Sequence, residues 1–189
     1  MIFNVSDAPL TEGEYTVVDL PDDGGTADDG AGVECEPDGL FISPDGTKAL
    51  ISSERNGTFQ LMALPSGTLY GNPYVIENDL PSGWQRDDRS YKKRTEPEEC
   101  SLVERDDKLY AVFALQESHA VIVYDVTDPA NPVFDSMAPA GIDYANDNGM
   151  EKSAIGSEGL GMHQTNGVAF SANEREGSIS MFTAAWARE

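Results

Sequence analysis

The chain has 189 residues, with 34 Asp and Glu against 12 Lys and Arg for a net charge of −22, and 39% of its residues are hydrophobic. That is enough apolar material for the core of one medium domain. So negative a surface repels phosphate backbones and anionic headgroups, so no nucleic-acid partner and no electrostatic membrane docking is expected.

The basic run Lys92-Lys93-Arg94 does not reverse that balance. No apolar stretch approaches the ~20 residues of a membrane-spanning helix, so no membrane insertion is expected. The start, Met1 to Asp7, carries neither the basic nor the apolar region of a signal peptide. Cys35 and Cys100 form no Cys-x-x-Cys pair, which leaves structural or free thiols as the default.

In chain order, residues 1–35 hold one apolar segment, Tyr15 to Leu20, which reads as a strand without a local partner, the outer strand of a preceding unit. Asp22 to Asp29 follows as an acidic loop. From residue 36 the pattern becomes regular. Leu40 to Ser43 leads into Pro44-Asp45-Gly46, a tight-turn sequence. Lys48 to Ser53 runs to Arg55-Asn56-Gly57, where Asn-Gly signals a hairpin. Thr58 to Leu64 is a third strand, and beyond Pro65-Ser66-Gly67 a fourth is expected at Tyr74 to Asn78.

The next segment repeats this plan, with strands at Cys100 to Glu104, Leu109 to Leu115, Ala120 to Val126 and Val133 to Met137. In Ala120 to Val126 successive residues alternate sides, and Asp128-Pro129 and Asn131-Pro132 end the ladder because proline lacks a donor. A third segment has Leu160 to His163, Val168 to Ser171 and Ser178 to Ala184.

The recurrence is internal. Glu36-Pro37-Asp38-Gly39-Leu40 returns as Glu96-Pro97-Glu98-Glu99-Cys100 and, more weakly, as Gly156-Ser157-Glu158-Gly159-Leu160, a step of 60 each time. Glu54-Arg55-Asn56-Gly57 returns two steps later as Glu174-Arg175-Glu176-Gly177. The chain therefore divides into an N-terminal segment (1–35), two full units (36–95 and 96–155) and a partial one (156–189).

Units of four hairpin-linked antiparallel strands are the pattern of β-propeller blades. The expected fold is all-β, a propeller-like repeat of about three blade equivalents where closed rings need about 4 to 8. The propeller is thus expected to be incomplete. Either further blades of a longer chain or self-association through open blade edges would complete it. A compact β-sandwich built from the same hairpins is the alternative.

The recurring Glu-Pro-Asp/Glu-Gly segment, the stretch Tyr124-Asp125-Val126-Thr127-Asp128-Pro129-Ala130-Asn131-Pro132-Val133 and the tail from Ser157 to Ser180 resemble the propeller proteins called choice-of-anchor I, and more broadly those with LVIVD-type repeats. The similarity covers residues 36 to 184 and is strongest from Glu96 onward. It implies an exported propeller, extracellular or attached to the cell surface, and its motif establishes no general catalytic activity. This chain is shorter than that family's propeller, which fits a C-terminal portion of a longer protein.

Candidate chemistry centres on carboxylates. Asp38, Glu98 and Glu158 hold equivalent places at the start of each unit's first strand, which in a propeller lines the central channel. A ring of carboxylates repels itself unless a cation or donors neutralise it, so these positions form a candidate site for calcium or a cationic ligand. The plainer alternative is that each accepts hydrogen bonds at the head of its strand. Asp143 and Asp147 gather oxygen ligands in a Gly-containing loop that misses the EF-hand spacing, and solvation explains that loop equally well.

No Gly-x-Ser-x-Gly, Ser-x-x-Lys or His-Glu-x-x-His motif is present. His119 lies beside Ser118 in a hairpin turn, and His163 ends a strand. Neither completes a catalytic set. Trp84 and Trp186 read as packing residues. The Glu54-Arg55 and Glu174-Arg175 pairs read as turn organisers. Three classes therefore stand: a non-enzymatic binding or scaffold propeller, a calcium-dependent phosphoesterase of the phytase-like kind, and a metal-dependent lactonase-type hydrolase.

Overall fold

A computed structural model of the chain describes residues 17–21, 35–81, 94–140, 156–163, 167–174 and 177–183. Among these, three antiparallel sheets form in sequence order. The first contains β1 (Pro37–Ile42), β2 (Lys48–Ser53), β3 (Thr58–Ala63) and β4 (Thr68–Val75). The second contains β5 (Pro97–Arg105), β6 (Lys108–Leu115), β7 (Ala120–Asp125) and β8 (Val133–Pro139). The third contains β9 (Ser157–His163), β10 (Val168–Asn173) and β11 (Ser178–Thr183). In every sheet spatial order follows chain order, and the first strands begin at Pro37, Pro97 and Ser157, the step of 60 seen in the repeat. These first strands lie against one another, β1 beside β5 and β5 beside β9, so they form the inner edge of an arc of blades.

The hairpins form where the turn chemistry calls for them. Asp45 accepts from the Ser43 hydroxyl at 2.6 Å and from the Thr47 amide at 2.9 Å, while Gly46 takes φ 70°. These donors hold the Asp45 carboxyl down at about 2. Gly57 takes φ 62° in the Asn-Gly turn. The tight β5–β6 turn uses Asp106 and Asp107 at φ 52° and 61°, the left-handed pair that matches strand twist.

Two apolar seams join the sheets. Leu50, Phe59 and Leu61 of the first sheet pack with Leu102, Phe113, Ile122 and Tyr124 of the second. Phe59 is the centre of this seam, with ring centroids 4.7 Å from Phe113, 5.0 Å from Tyr124 and 5.2 Å from Tyr74. The phenols of Tyr74 and Tyr124 both donate to Asp79 Oδ2, at 2.9 and 3.1 Å, which satisfies the polar tips of an otherwise apolar cluster. Burial and the Asp79 contact push Tyr74 up to about 12. The second seam is mostly aliphatic: Val103, Val112 and Val121, with Tyr110, meet Leu160, Met162 and Phe182.

Two sequence expectations need correction. The fourth strand of the first unit runs from Thr68 to Val75 rather than Tyr74 to Asn78, because Pro65-Ser66-Gly67 closes a tight hairpin and pairs Ala63 directly with Thr68. An irregularity opposite Gln60, whose side-chain amide donates to the Gly71 carbonyl at 2.8 Å, lengthens that strand, and a single 3-10 turn occupies Ile76–Asp79. The described part of the Tyr15–Leu20 segment, residues 17–20, joins no ladder. Instead Val18 and Leu20 lay their side chains on Ala49, Ile51 and Met62, the face of the first sheet turned away from the second. Burial of these two apolar residues explains the segment's strand-like composition.

Candidate functional site

Each inner strand begins with a bulge. In β1, Asp38 and Gly39 fall where the register shifts between Pro37↔Ser53 and Leu40↔Ile51. In β5 the extra residue is Glu98, between Pro97↔Leu115 and Glu99↔Ala114. In β9 it is Glu158, between Ser157 and Gly159. The three repeat-related carboxylates thus occupy the same irregularity in each sheet, where a bulge re-aims a side chain out of the ladder. Close backbone approach accounts for Gly39: a Cβ there would stand 2.5 Å from Ser52 Oγ and 3.0 Å from the β5 backbone at Glu98 and Cys100.

A second recurring bond ties the β2–β3 type of turn to the residue before the inner strand. The amide of Glu54 donates to the Glu36 carbonyl at 3.0 Å, that of Gln116 to Glu96 at 2.9 Å, and that of Glu174 to Gly156 at 2.8 Å. Each turn is therefore fixed at the same end of its sheet as the bulge, next to the bulge of the following sheet.

At the first seam this arrangement concentrates acid. Carboxylate oxygens of Glu54, Glu96 and Glu98 all lie within 4.8 Å of one another. Glu96 is fully buried and its backbone is left-handed at φ 43°, a conformation that costs about 1 kcal/mol or more for a residue with a Cβ. Glu98 is pushed up to about 8. Burial is the largest cause, followed by a hydrogen bond with Asp38 that favours the protonated form, and then by the charges of Glu54, Asp38 and Glu96. Burial and the Asp38 charge also raise Glu99. Four carboxyl groups from two sheets thus share one partly desolvated corner, and near neutrality one holds a proton.

The second seam takes a different form. Gln116 stands where the first sheet has Glu54, and its side-chain amide donates to Glu158 Oε1. The structure brings Asp38 and Glu98 together, but it places Glu158 with this amide partner. Asp143 and Asp147 lie outside the described residues, as do Trp84, Trp186 and the Asp22 to Asp29 loop.

Sequence reasoning does not distinguish Glu54 and Glu96 as site residues. Glu54 reads as part of a turn, and Arg55 does organise that turn through an ion pair with Glu36 at 3.1 Å. The signal for Glu54 is its position at the hairpin fixed beside the next bulge, which requires knowing the blade stacking. His119 is buried in the turn of 116–119 with φ 49°, and its carbonyl accepts from Ala140 at 2.8 Å. His163 ends β9, exposed. Both cysteines are free thiols, and burial pushes Cys100 up to about 12, so it is inert as a nucleophile.

Among solved structures, the chain is similar to Kuenenia stuttgartiensis hydrazine synthase, at 12% identity and a TM-score of 0.51 over 79% of this chain and 46% of that one. It is similar to a candidate 6-phosphogluconolactonase from Bacteroides fragilis, at 13% identity and a TM-score of 0.50 over 80% and 35%. It also resembles a luciferin-regenerating enzyme, at 9% identity and a TM-score of 0.50 over 82% and 47%. The fold is a propeller-type arc. At these identities the likeness concerns fold alone, and the chain spans less than half the length of each of these proteins. No family model matches the chain, and no curated protein matches it.

Proposed function

We propose that this propeller arc is a binding module whose first seam takes a divalent cation of the calcium type through Glu54, Glu96 and Glu98, with Asp38 beside them. The observation that carries this reading is the mutual 4.8 Å approach of three carboxylates from two sheets. Burial, the Asp38 hydrogen bond and the neighbouring charges push Glu98 up, and a hard cation with oxygen ligands would offset both the lost solvation and the repulsion. The resemblance to choice-of-anchor I proteins supports a non-enzymatic, exported or surface-associated role. A lactonase-type or phytase-like hydrolase is the second reading, favoured by the position of the acidic corner at the inner-strand ends. It lacks an assigned nucleophile or general base.

Thermal melts in CaCl₂ and in NaCl at matched ionic strength test the site. Calcium is expected to raise the midpoint with increasing concentration, as any ligand of the folded state does, and Glu54→Gln with Glu98→Gln is expected to abolish the rise. Identical wild-type curves in the two salts would overturn the reading. Calcium binding accompanied by calcium-dependent release of acid from a sugar lactone or phosphoester would move the assignment to the hydrolase class.

A further inference from the structure

The two ends of the arc expose faces that are buried everywhere else in the repeat. Leu50 and Leu61 of the first sheet are buried against the second sheet, and Tyr110 and Val121, one step of 60 later, are buried against the third. One step further, the same positions are Phe170 and Met181, which are 42% and 67% exposed. They are cross-strand partners on β10 and β11, and beside them Ala172 pairs with Ile179, which is 74% exposed. On the inner strand this face is completed by Gly161 and Gly159, paired with Phe170 and Ala172, so no side chain rises there to cover it.

The opposite end shows the complementary pattern. Cys100 and Leu102 of β5 are buried on the face that receives the first sheet. Their equivalents one step earlier, Leu40 and Ile42 of β1, are 64% and 53% exposed. Register places them on the same face as Ile51 and Ala49, whose side chains Val18 and Leu20 help to cover. That covering segment leaves the inner part of the face open. Five of the eight large hydrophobic residues exposed among the described residues belong to these two faces, which decides where a partner would sit.

We propose that two copies of this chain pack head to tail, the third sheet of each copy resting on the first sheet of the other. Phe170, Ile179 and Met181 of one copy then meet Leu40 and Ile42 of the other, continuing the series of seams already present between the first, second and third sheets. The interface is heterologous, and two such contacts close it into a ring of six sheets, within the range of about 4 to 8 that propellers use. A second copy is the partner because it carries both the donor and the acceptor face of this repeat, so that one partner covers both open ends. With −22 on each copy, added salt favours the assembly by screening.

Size-exclusion chromatography with light scattering on the full chain tests the proposal. The expected mass in 0.5 M NaCl is twice the 20.4 kDa of one chain. Leu40→Asp and Met181→Asp change exposed side chains outside the core, and circular dichroism checks that each variant stays folded. Each alone is expected to give monomer, because every contact of its ring has one spoiled side. Their equimolar mixture is expected to recover a dimer through the single contact that joins two intact faces. A monomeric wild type would overturn the proposal and assign the two faces to other sheets. A Leu40→Asp chain that stays dimeric would also overturn it, because the contact would then be symmetric through the third sheet.

Discussion

The first seam joins its sheets through an aromatic cluster and places four acidic side chains at its bulged end. The second seam is mostly aliphatic, without an aromatic cluster, and at the equivalent place an amide meets one carboxylate. The backbone is the same in both: a bulge at the head of the inner strand, beside the turn of the preceding sheet, which is bonded to the residue before that sheet's own inner strand. Two positions differ: Glu54 of the first seam is matched by Gln116, and Glu96 by Gly156. A carboxylate facing Glu98 adds charge to a desolvated corner, whereas an amide facing Glu158 donates to it. These two repeat positions together separate a seam end that is a titrating cluster from one that is a closed hydrogen bond. Buried polar groups on the third sheet follow the second pattern. Ser171 donates to Ser157 at 2.9 Å, and Asn173 donates to Ser178 and Ser180 at 2.9 Å each.

The largest effect expected from breaking this contrast lies in the packing. Phe59→Ala removes the ring shared by Tyr74, Phe113 and Tyr124 and is expected to cost about 3–5 kcal/mol in urea unfolding. Val121→Ala on the second seam removes two methyl groups and is expected to cost about 1–2 kcal/mol. Equal costs would mean that the aromatic cluster has no special part in joining the first two sheets.

Gln116→Glu moves the second seam end toward the first. It replaces a donor to Glu158 with a second carboxylate and is expected to destabilise by about 1–3 kcal/mol at pH 8. The loss is expected to shrink toward pH 5, where one of the pair is protonated. Glu98 supplies the reference for the sign. Its folded value of about 8 stands above its ordinary 4.5, so the native state keeps a proton that the unfolded chain releases. Stability linked to Glu98 is therefore full below pH 4.5 and declines as the pH rises through 8. Glu98→Gln should flatten that decline, and a Gln116→Glu chain with an unchanged pH profile would sink the comparison.

The smallest effect is expected at the outer rim. Lys108 donates to Asp125 at 2.7 Å, which raises the lysine and helps hold the aspartate below its ordinary range together with Thr127. Lys108→Ala is expected to leave the urea midpoint nearly unchanged, because the pair is exposed to screening solvent. The Asp125 contribution is present above its unfolded pKa and is lost as the pH falls through its depressed folded value. A clear drop in the midpoint that persists in high salt would mean that the pair fixes the end of β7 as well as its charge.

Local chemistry makes the repeat legible in the amino-acid sequence. Lys48–Ser53 emerges with the expected limits because Gly46 and Gly57 punctuate both sides, and β7 ends beside Thr127-Asp128-Pro129 as the proline pattern requires. The Asp106–Asp107 hairpin is less obvious, since no glycine marks its two left-handed residues. The fourth strand of the first unit escapes a reading by composition because the irregularity at Gly71 and Pro73 interrupts strand-like residues while the ladder continues around it.

By itself the sequence determined the period of 60, the hairpins and the placing of Asp38, Glu98 and Glu158 at equivalent positions, because turns and strand alternation depend on neighbours a few residues apart. Tertiary structure decided which carboxylates meet. Glu54 joins Glu96 and Glu98 across more than forty residues of chain because stacking sets the turn of one sheet against the bulge of the next, and Glu158 meets Gln116 by the same rule. Stacking also decided that Val18 and Leu20 cover a sheet face instead of extending a ladder. Apolar burial fixes how sheets lie on one another, and charge then has to accept the neighbours that this packing supplies.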